Sequence, residues 1–330
     1  MLYYEHLDEL VFNRTNYVKC DEIDIISGYV GPDPIQKLAQ KGIKSTVVYG
    51  MFGSEGIKDA LHNTLKEIDS NSESLSIMYS TIPVHSKCYV WKYKGEIQQS
   101  LVGSANFSIN GLTTPMREML AETSLDSFPT IDRYLSLVLQ NSISCVCADE
   151  YASKIQTASS LYGEVCEAPL YIIKNGIPII PGKSGLNWGM ARYSGSHVNV
   201  NDAYIPISKA MVSNYPSLFP IKQKAPTNKE GVARLDHRHN DNIEIIWDDG
   251  TYMTGLLEGT REATIAGKTV YYPKQISTTP SKSELGEYLR NRLHVPLGKP
   301  ITMQILKLYG RDSISISMQA EGVYYFDFHV

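Results

Sequence analysis

No stretch of the 330-residue sequence approaches the roughly 18 consecutive apolar residues that a membrane-spanning helix needs. The opening residues, MLYYEHLDEL, carry acids early and no apolar segment, unlike a signal peptide. Cysteine is scarce: five in all, an odd number, and only Cys145 and Cys147 lie close together. A single C-x-C pair is a poor beginning for a metal site, so reduced thiols in a cytoplasmic protein are the expectation. No internal repeat or low-complexity tract occurs, which sets aside solenoids and arrays.

What is present fits two ordinary globular domains, with 42% hydrophobic and 10% aromatic residues. The net charge of −4 is unevenly spread. Residues 1–175 hold 14 Lys and Arg against 21 Asp and Glu, whereas residues 176–330 hold 17 against 14. Between 261 and 311 there are nine basic residues and three acids. A basic second half under an acidic first half points to a polyanionic partner for the second.

The first half alternates strand and helix patterns. Residues 22–30 and 43–51 are apolar, β-branched runs of buried-strand length, separated by a helix-like segment from Pro34 to Gln40. Residues 56–69 place Ile57, Ala60, Leu61, Leu65 and Ile68 on one helical face, and 129–142 read as a further helix. Residues 75–80, 84–94 and 97–107 read as strands, the last two as a hairpin around Gly95. This is an α/β layer pattern. The second half shows short strand-like runs at 171–175, 241–259, 269–273, 313–319 and 322–330, with a hairpin signal at Asp249-Gly250. One helix, residues 283–293, interrupts them, so a mainly β barrel or pseudobarrel with a helix is expected. The Gly- and Pro-rich stretch 175–185 suggests domains at 1–177 and 178–330.

The chemistry concentrates in His85-Ser86-Lys87 and Gly103-Ser104-Ala105-Asn106. Residues two apart on a strand face one side, so His85 and Lys87 project together, as do Ser104 and Asn106 on the next strand. Lys87 and Asn106 can donate to the non-bridging oxygens of a phosphodiester while His85 attacks phosphorus. Fixed donors around a developing phosphorane charge are worth about a hundred- to thousand-fold each. Gly103 is read as allowing close backbone approach to the phosphate. The H-x-K and G-S-x-N phrases together resemble the phospholipase D superfamily motif. That resemblance implies a phospholipase-D-like α/β sandwich, and it places Glu118 as a carboxylate that orients the histidine. The family's usual Asp, four residues beyond the one following the lysine, is replaced by Lys92, which argues against lipid hydrolases. Family sites use two motif copies and this chain has one, implying a homodimer through the N-terminal domain.

Further on, SGLNWGMARY and NVNDAYIPI (184–207), LGEYLRNRLHVPLGKPIT (285–302), and LYGRDSISIS with YYFDF (308–328) resemble restriction endonucleases of the NgoFVII/BfiI type. The resemblance implies a prokaryotic enzyme whose second domain is a B-three-like pseudobarrel gripping double-stranded DNA with two arms, here about 183–204 and 274–292. Candidate contacts are Lys183, Asn187, Arg192, His197 and Asn201 in the first arm, and Lys274, Gln275, Lys282, Arg290 and Arg292 in the second. Asn and Arg of the first arm are the bidentate readers of base edges, and the second-arm set carries phosphate-binding charge. Arg290 and Arg292, two apart on a helix, cannot share a face, so one is expected to bind DNA and the other to make an ion pair. The polar run Asp236-His237-Arg238-His239-Asn240-Asp241 reads as a solvated loop. No metal and no cofactor are expected. Two other readings stay open: a non-specific or lipid-acting phosphodiesterase, and a DNA-binding protein with an inactive nuclease domain.

Overall fold

Residues 1–156, 160–193, 196–222, 240–265 and 267–330 are described by a computed structural model of the chain. The chain divides into Met1–Ser159 with Gln319–Val323, and Ser160–Met318 with Tyr324–Val330. The units therefore part 18 residues before the boundary drawn at 177/178. The reason is a short strand, Cys166–Pro169, which pairs in the second unit's sheet.

The first unit is built on eight strands: β1 (Leu2–Tyr3), β2 (Glu22–Ser27), β3 (Lys44–Tyr49), β4 (Leu75–Ser80), β5 (Lys87–Tyr93), β6 (Glu96–Gly103), β7 (Leu120–Glu122) and β8 (Ser142–Ser144). Their order is β1-β7-β6-β5-β2-β3-β4-β8. The pairs β2/β3 and β3/β4 are parallel; β2/β5, β5/β6 and β6/β7 are antiparallel. Parallel strands buried on both faces need apolar residues at nearly every position, and β2 supplies Ile23, Ile25 and Ile26, all buried. The longer helices beside the sheet are α1 (Pro32–Ala39), α2 (Asp59–Ser70) and α3 (Phe128–Gln140). Helix α3 sets Ile131, Leu135 and Val138 on Ile26, Val48, Cys88 and Val90. The alternate residues Ile25, Val47, Ile77 and Tyr89 point to the other face and are also fully buried. There α1 packs on β3, and α2 on β4. Asp24 is the polar exception inside β2. It is buried and paired with Lys92 at 2.8 Å, so the residue standing in place of the superfamily Asp neutralises an interior carboxylate.

The second unit has a seven-stranded sheet in the order β9-β14-β15-β11-β12-β13-β10. These strands are β9 (Cys166–Pro169), β10 (Ile205–Pro206), β11 (Asp241–Trp247), β12 (Tyr252–Glu258), β13 (Gln275–Thr278), β14 (Ser313–Ala320) and β15 (Val323–Asp327). The Asp249-Gly250 turn joins β11 to β12, with Gly250 at φ 84°, where a Cβ would be strained. Helix α4 (Ser283–Arg292) buries Leu285 and Leu289 in a core with Trp247, Tyr324, Phe326 and Phe328. A further helix, α5 (Met303–Tyr309), starts at Thr302, whose side chain accepts from the Ile305 N–H, and stops at Gly310 with φ 98°. The unit is mostly β with few helices, as the sequence pattern leads one to expect.

Candidate active site and nucleic-acid interface

The catalytic candidates gather at one end of the first sheet. β2 and β3 end there at Ser27 and Tyr49, β5 begins there at Lys87, and β6 ends there at Gly103. Carboxyl ends of parallel strands are where α/β proteins place ligands. His85 lies just before β5 rather than on it, and its approach is pinned by backbone bonds. Val84 N–H donates to Gly50 O (3.0 Å), and Gly50 N–H to Ser27 O (2.8 Å). Gly50 has to be glycine, because a Cβ would come 2.1 Å from Val84 O. Ser104 and Asn106 likewise lie past the end of β6, in the turn before the short helix Ile109–Thr113, so they are not strand neighbours as the spacing suggests.

The imidazole of His85 is exposed, while the stem of Lys87 is buried. The Lys87 ammonium donates to His85 O at 2.8 Å and stands 3.2 Å from each ring nitrogen, beside the ring rather than along one lone pair. Burial holds the Lys87 amine below its usual range, against the pull of Glu118 and Glu321. Glu118 is half-buried. Burial pushes its carboxyl above the ordinary value, opposed by a hydrogen bond from Ser104 and by Lys87. The Ser104 hydroxyl also accepts from Met119 N–H at 3.1 Å. Glu118 thus bonds Ser104 and, among the described residues, not His85: the expected carboxylate–imidazole bond is absent in this chain. Gly103 also has a different reason to be glycine. A Cβ there would lie 2.1 Å from Met119 O in the neighbouring chain segment.

Sequence reasoning missed the Ser27-Gly28-Tyr29 segment that follows β2. Tyr29 N–H donates to Asn106 Oδ1 at 3.2 Å, and the Ser27 hydroxyl approaches the same oxygen at 3.4 Å. Ser27 Oγ accepts from Phe107 N–H at 2.9 Å. The Tyr29 ring meets the His85 imidazole edge to face, centroids 5.9 Å apart at 81°. A Cβ on Gly28 would come 2.9 Å from His85 Cδ2 and 3.3 Å from Lys87 Nζ. Only the S-G-Y run at the end of an apolar strand signals this in sequence, and it lies 56 residues before His85.

In the second unit the DNA candidates separate into two sets. Lys183, Arg192, His197 and Lys274 are exposed. Asn187 is buried, with Nδ2 donating to Pro181 O (3.2 Å) and Ile301 O (2.8 Å) and Oδ1 accepting from Ile301 N–H (2.8 Å). Asn201 is buried between Glu287 Oε1 (3.0 Å) and Gly298 N–H (2.8 Å). Arg290 is fully buried and donates to the carbonyls of Gly286, Lys299 and Leu186. Arg292 grips Asp248 bidentately at 2.6 and 2.7 Å and also donates to the Tyr288 and Tyr309 hydroxyls. Burial raises the Asp248 carboxyl, but Arg292 outweighs that and holds it below the ordinary value. These four side chains are spent inside the fold, which corrects their assignment as base or phosphate contacts; Arg290 and Arg292 both have structural work. Gln275 and Lys282 stand between the two sets. Both bond Glu258, at 2.9 and 2.6 Å, and Lys282 also sits 5.2 Å from the Trp188 ring centre.

No cluster of three or more His, Cys, Asp or Glu suited to a metal ion occurs among the described residues. Residues 236–239 of the polar run lie outside them; Asp241 pairs with Lys222 at 3.4 Å. Cys145 is buried and Cys147 exposed, both free thiols.

A histidine and a lysine at the mouth of an α/β sheet, faced by Ser and Asn donors, define a phosphodiesterase-type centre, here followed by a separate β-rich unit. Two family models match these parts. The NgoFVII restriction endonuclease N-terminal PLD domain covers residues 5–149, and the NgoFVII C-terminal B3-like DNA-binding domain covers 172–320. The chain belongs to the NgoFVII restriction endonuclease family and is a DNA-cleaving hydrolase with a DNA-binding domain. No curated protein matches it. Among solved structures, NucT from Helicobacter pylori is 18% identical, covering 44% of this chain and 97% of its own, with a TM-score of 0.32. The phospholipase D family member Nuc from Salmonella typhimurium is 14% identical over 42% and 89%, with a TM-score of 0.32. Polyphosphate kinase from Porphyromonas gingivalis is 10% identical over 44% and 23%, with a TM-score of 0.31.

Proposed function

We propose that the enzyme hydrolyses phosphodiester bonds of double-stranded DNA at or near a specific sequence, without a divalent metal, as a homodimer formed through its first unit in the prokaryotic cytoplasm. The observation that carries this reading is the meeting of His85, Lys87, Ser104, Asn106 and Glu118 at one strand end, in a single copy per chain. Lys87 supplies positive charge beside His85, the role a metal plays in other nucleases. Asn106 Nδ2 is the amide donor for a non-bridging oxygen, since its Oδ1 is already engaged. None of Asn, Lys and Ser is a general base for water, which favours a double displacement. His85 of one subunit attacks phosphorus, the P–O bond to the 3′ oxygen breaks, and a phosphohistidine forms. The partner's His85 protonates the leaving 3′ oxygen and then takes a proton from the water that hydrolyses the intermediate. Two in-line displacements give net retention at phosphorus. Glu118 acts on this centre through Ser104 and through its charge near Lys87.

The deciding experiment incubates purified protein with plasmid in EDTA. Discrete fragments support the proposal; a smear favours a non-specific nuclease, and a gel shift without cleavage favours a DNA-binding protein. Activity lost in EDTA and restored by Mg²⁺ overturns metal independence. His85→Ala should abolish cleavage and keep DNA binding. With a chiral phosphorothioate diester cleaved in isotopic water, net inversion overturns the covalent step.

A further inference from the structure

We infer that Tyr29 is a positioning residue for His85, and that the Ser27-Gly28-Tyr29 segment is a third part of the catalytic centre, locking the two motif halves to each other. The inference rests on the reading of His85 as the nucleophile. An exposed histidine rotates freely unless something restrains it, and Glu118 does not. Three neighbours do: the Lys87 ammonium beside the ring, the bare backbone of Gly28 under Cδ2, and the Tyr29 ring meeting the imidazole edge to face. The Tyr29 ring is itself held, because its hydroxyl donates to Glu55 Oε2 at 2.9 Å.

The same residue fixes the other half-motif through its backbone. Tyr29 N–H and Ser27 Oγ converge on Asn106 Oδ1, so the amide has one sensible orientation, with Nδ2 turned away from them. That Nδ2 points at an anionic oxygen, Glu321 Oε2 at 3.4 Å, which shows the kind of group it is aimed to receive. Nucleophile and amide donor are therefore registered on one short stretch of backbone. A nucleophile displaced by 1 Å loses on the order of a hundred-fold in rate, which gives the restraint its value. An aromatic ring can restrain a neighbour in this way at low entropic cost, since its edge-to-face contact is directional.

The test uses the full chain and bis(4-nitrophenyl) phosphate, a diester that needs no DNA recognition. Tyr29→Leu should lower kcat by about 10- to 100-fold with KM changed less than about twofold. Tyr29→Phe, which keeps the ring, should recover all but about threefold of it. A residue that merely filled space would lower the melting temperature and the active fraction without this split. Should Tyr29→Leu fail to fold, carbon relaxation of the histidine rings in the unmodified protein decides. The His85 ring should be ordered on the nanosecond scale where the exposed His329 ring is not. A His85 ring as mobile as His329, or a Tyr29→Leu enzyme with unchanged kcat, overturns the inference. If His85→Ala retains diesterase activity, the nucleophile reading fails instead, and the two failures are told apart.

Discussion

Side chains in this protein are divided between those spent on the fold and those left for chemistry, and two substitutions expose the division. Glu118 is a carboxyl whose ionisation is opposed by burial. A folded-state pKa above the unfolded value favours folding below the ordinary Glu pKa and loses that advantage as pH rises through the raised value. At neutral pH the charged form is therefore a burden. Glu118→Gln should raise the melting temperature at pH 7, with the gain disappearing near pH 4, while cleavage falls, by less than the about hundred-fold that loss of a whole donor costs. Calorimetry at the two pH values and a diesterase assay check it. Arg290 is the opposite case. Arg290→Ala would strip three buried carbonyls of their donor, at about 1–3 kcal/mol for each group left unsatisfied. Denaturant unfolding should show the second unit weakened by about 3 kcal/mol or more. A variant of ordinary stability with relaxed sequence preference would return Arg290 to the DNA contacts.

At the scale of elements, the long strands and helices were legible because each carries one period over its whole length. Ile23, Ile25 and Ile26 announce a strand buried on both faces, and Leu61, Leu65 and Ile68 a helix face. The Lys94-Gly95 turn, at φ 50° and 82°, was legible from Gly95 alone. The short pieces were not. Helix α5 is only seven residues long, although Thr302 and Gly310 mark its ends. Strand β9 of four residues has no pattern of its own and exists because β14 pairs with it. The candidate catalytic residues stand out in the sequence as types and spacings, but the bond between Tyr29 and Asn106 spans 77 residues and leaves no trace in either motif. Polar residues in the arms misled for a related reason. An Asn in a Gly- and Ser-rich stretch looks solvated, and nothing local reveals that Asn187 is bonded to Ile301, 114 positions away. The exposed candidates in the arms are Lys183, Arg192, His197 and Lys274. Arg192→Ala combined with Lys274→Ala should leave the fold intact. If both residues meet phosphates, the salt slope of DNA affinity should fall by about two units. A slope equal to that of the parent would remove both from the interface.

For the whole molecule, the decisive feature is that one chain holds one His85, one Lys87 and one Asn106 of the motif. If the complete centre needs two, activity is a property of concentration. Specific activity measured by successive dilution should be constant above the dimer dissociation constant and fall in proportion to concentration below it. Mixing with an excess of His85→Ala chains should inactivate the parent by forming mixed dimers. Specific activity that is independent of dilution, with monomers seen by light scattering on DNA, would place the whole reaction in one chain.

Lys92 and Asp24 give that comparison with the wider superfamily a practical edge. A designer who noticed the missing acid and restored it with Lys92→Asp would set two carboxylates face to face in the interior of the sheet, where Asp24 now has its cation at 2.8 Å. Stripping a buried charge of its partner costs about 3–5 kcal/mol, so that repair should yield an insoluble chain instead of a better enzyme. Exchanging the pair, Asp24→Lys with Lys92→Asp, should give back much of the loss. In this chain the charge at position 92 is thus tied to the charge at position 24 on the neighbouring strand, and neither can be changed sensibly without the other.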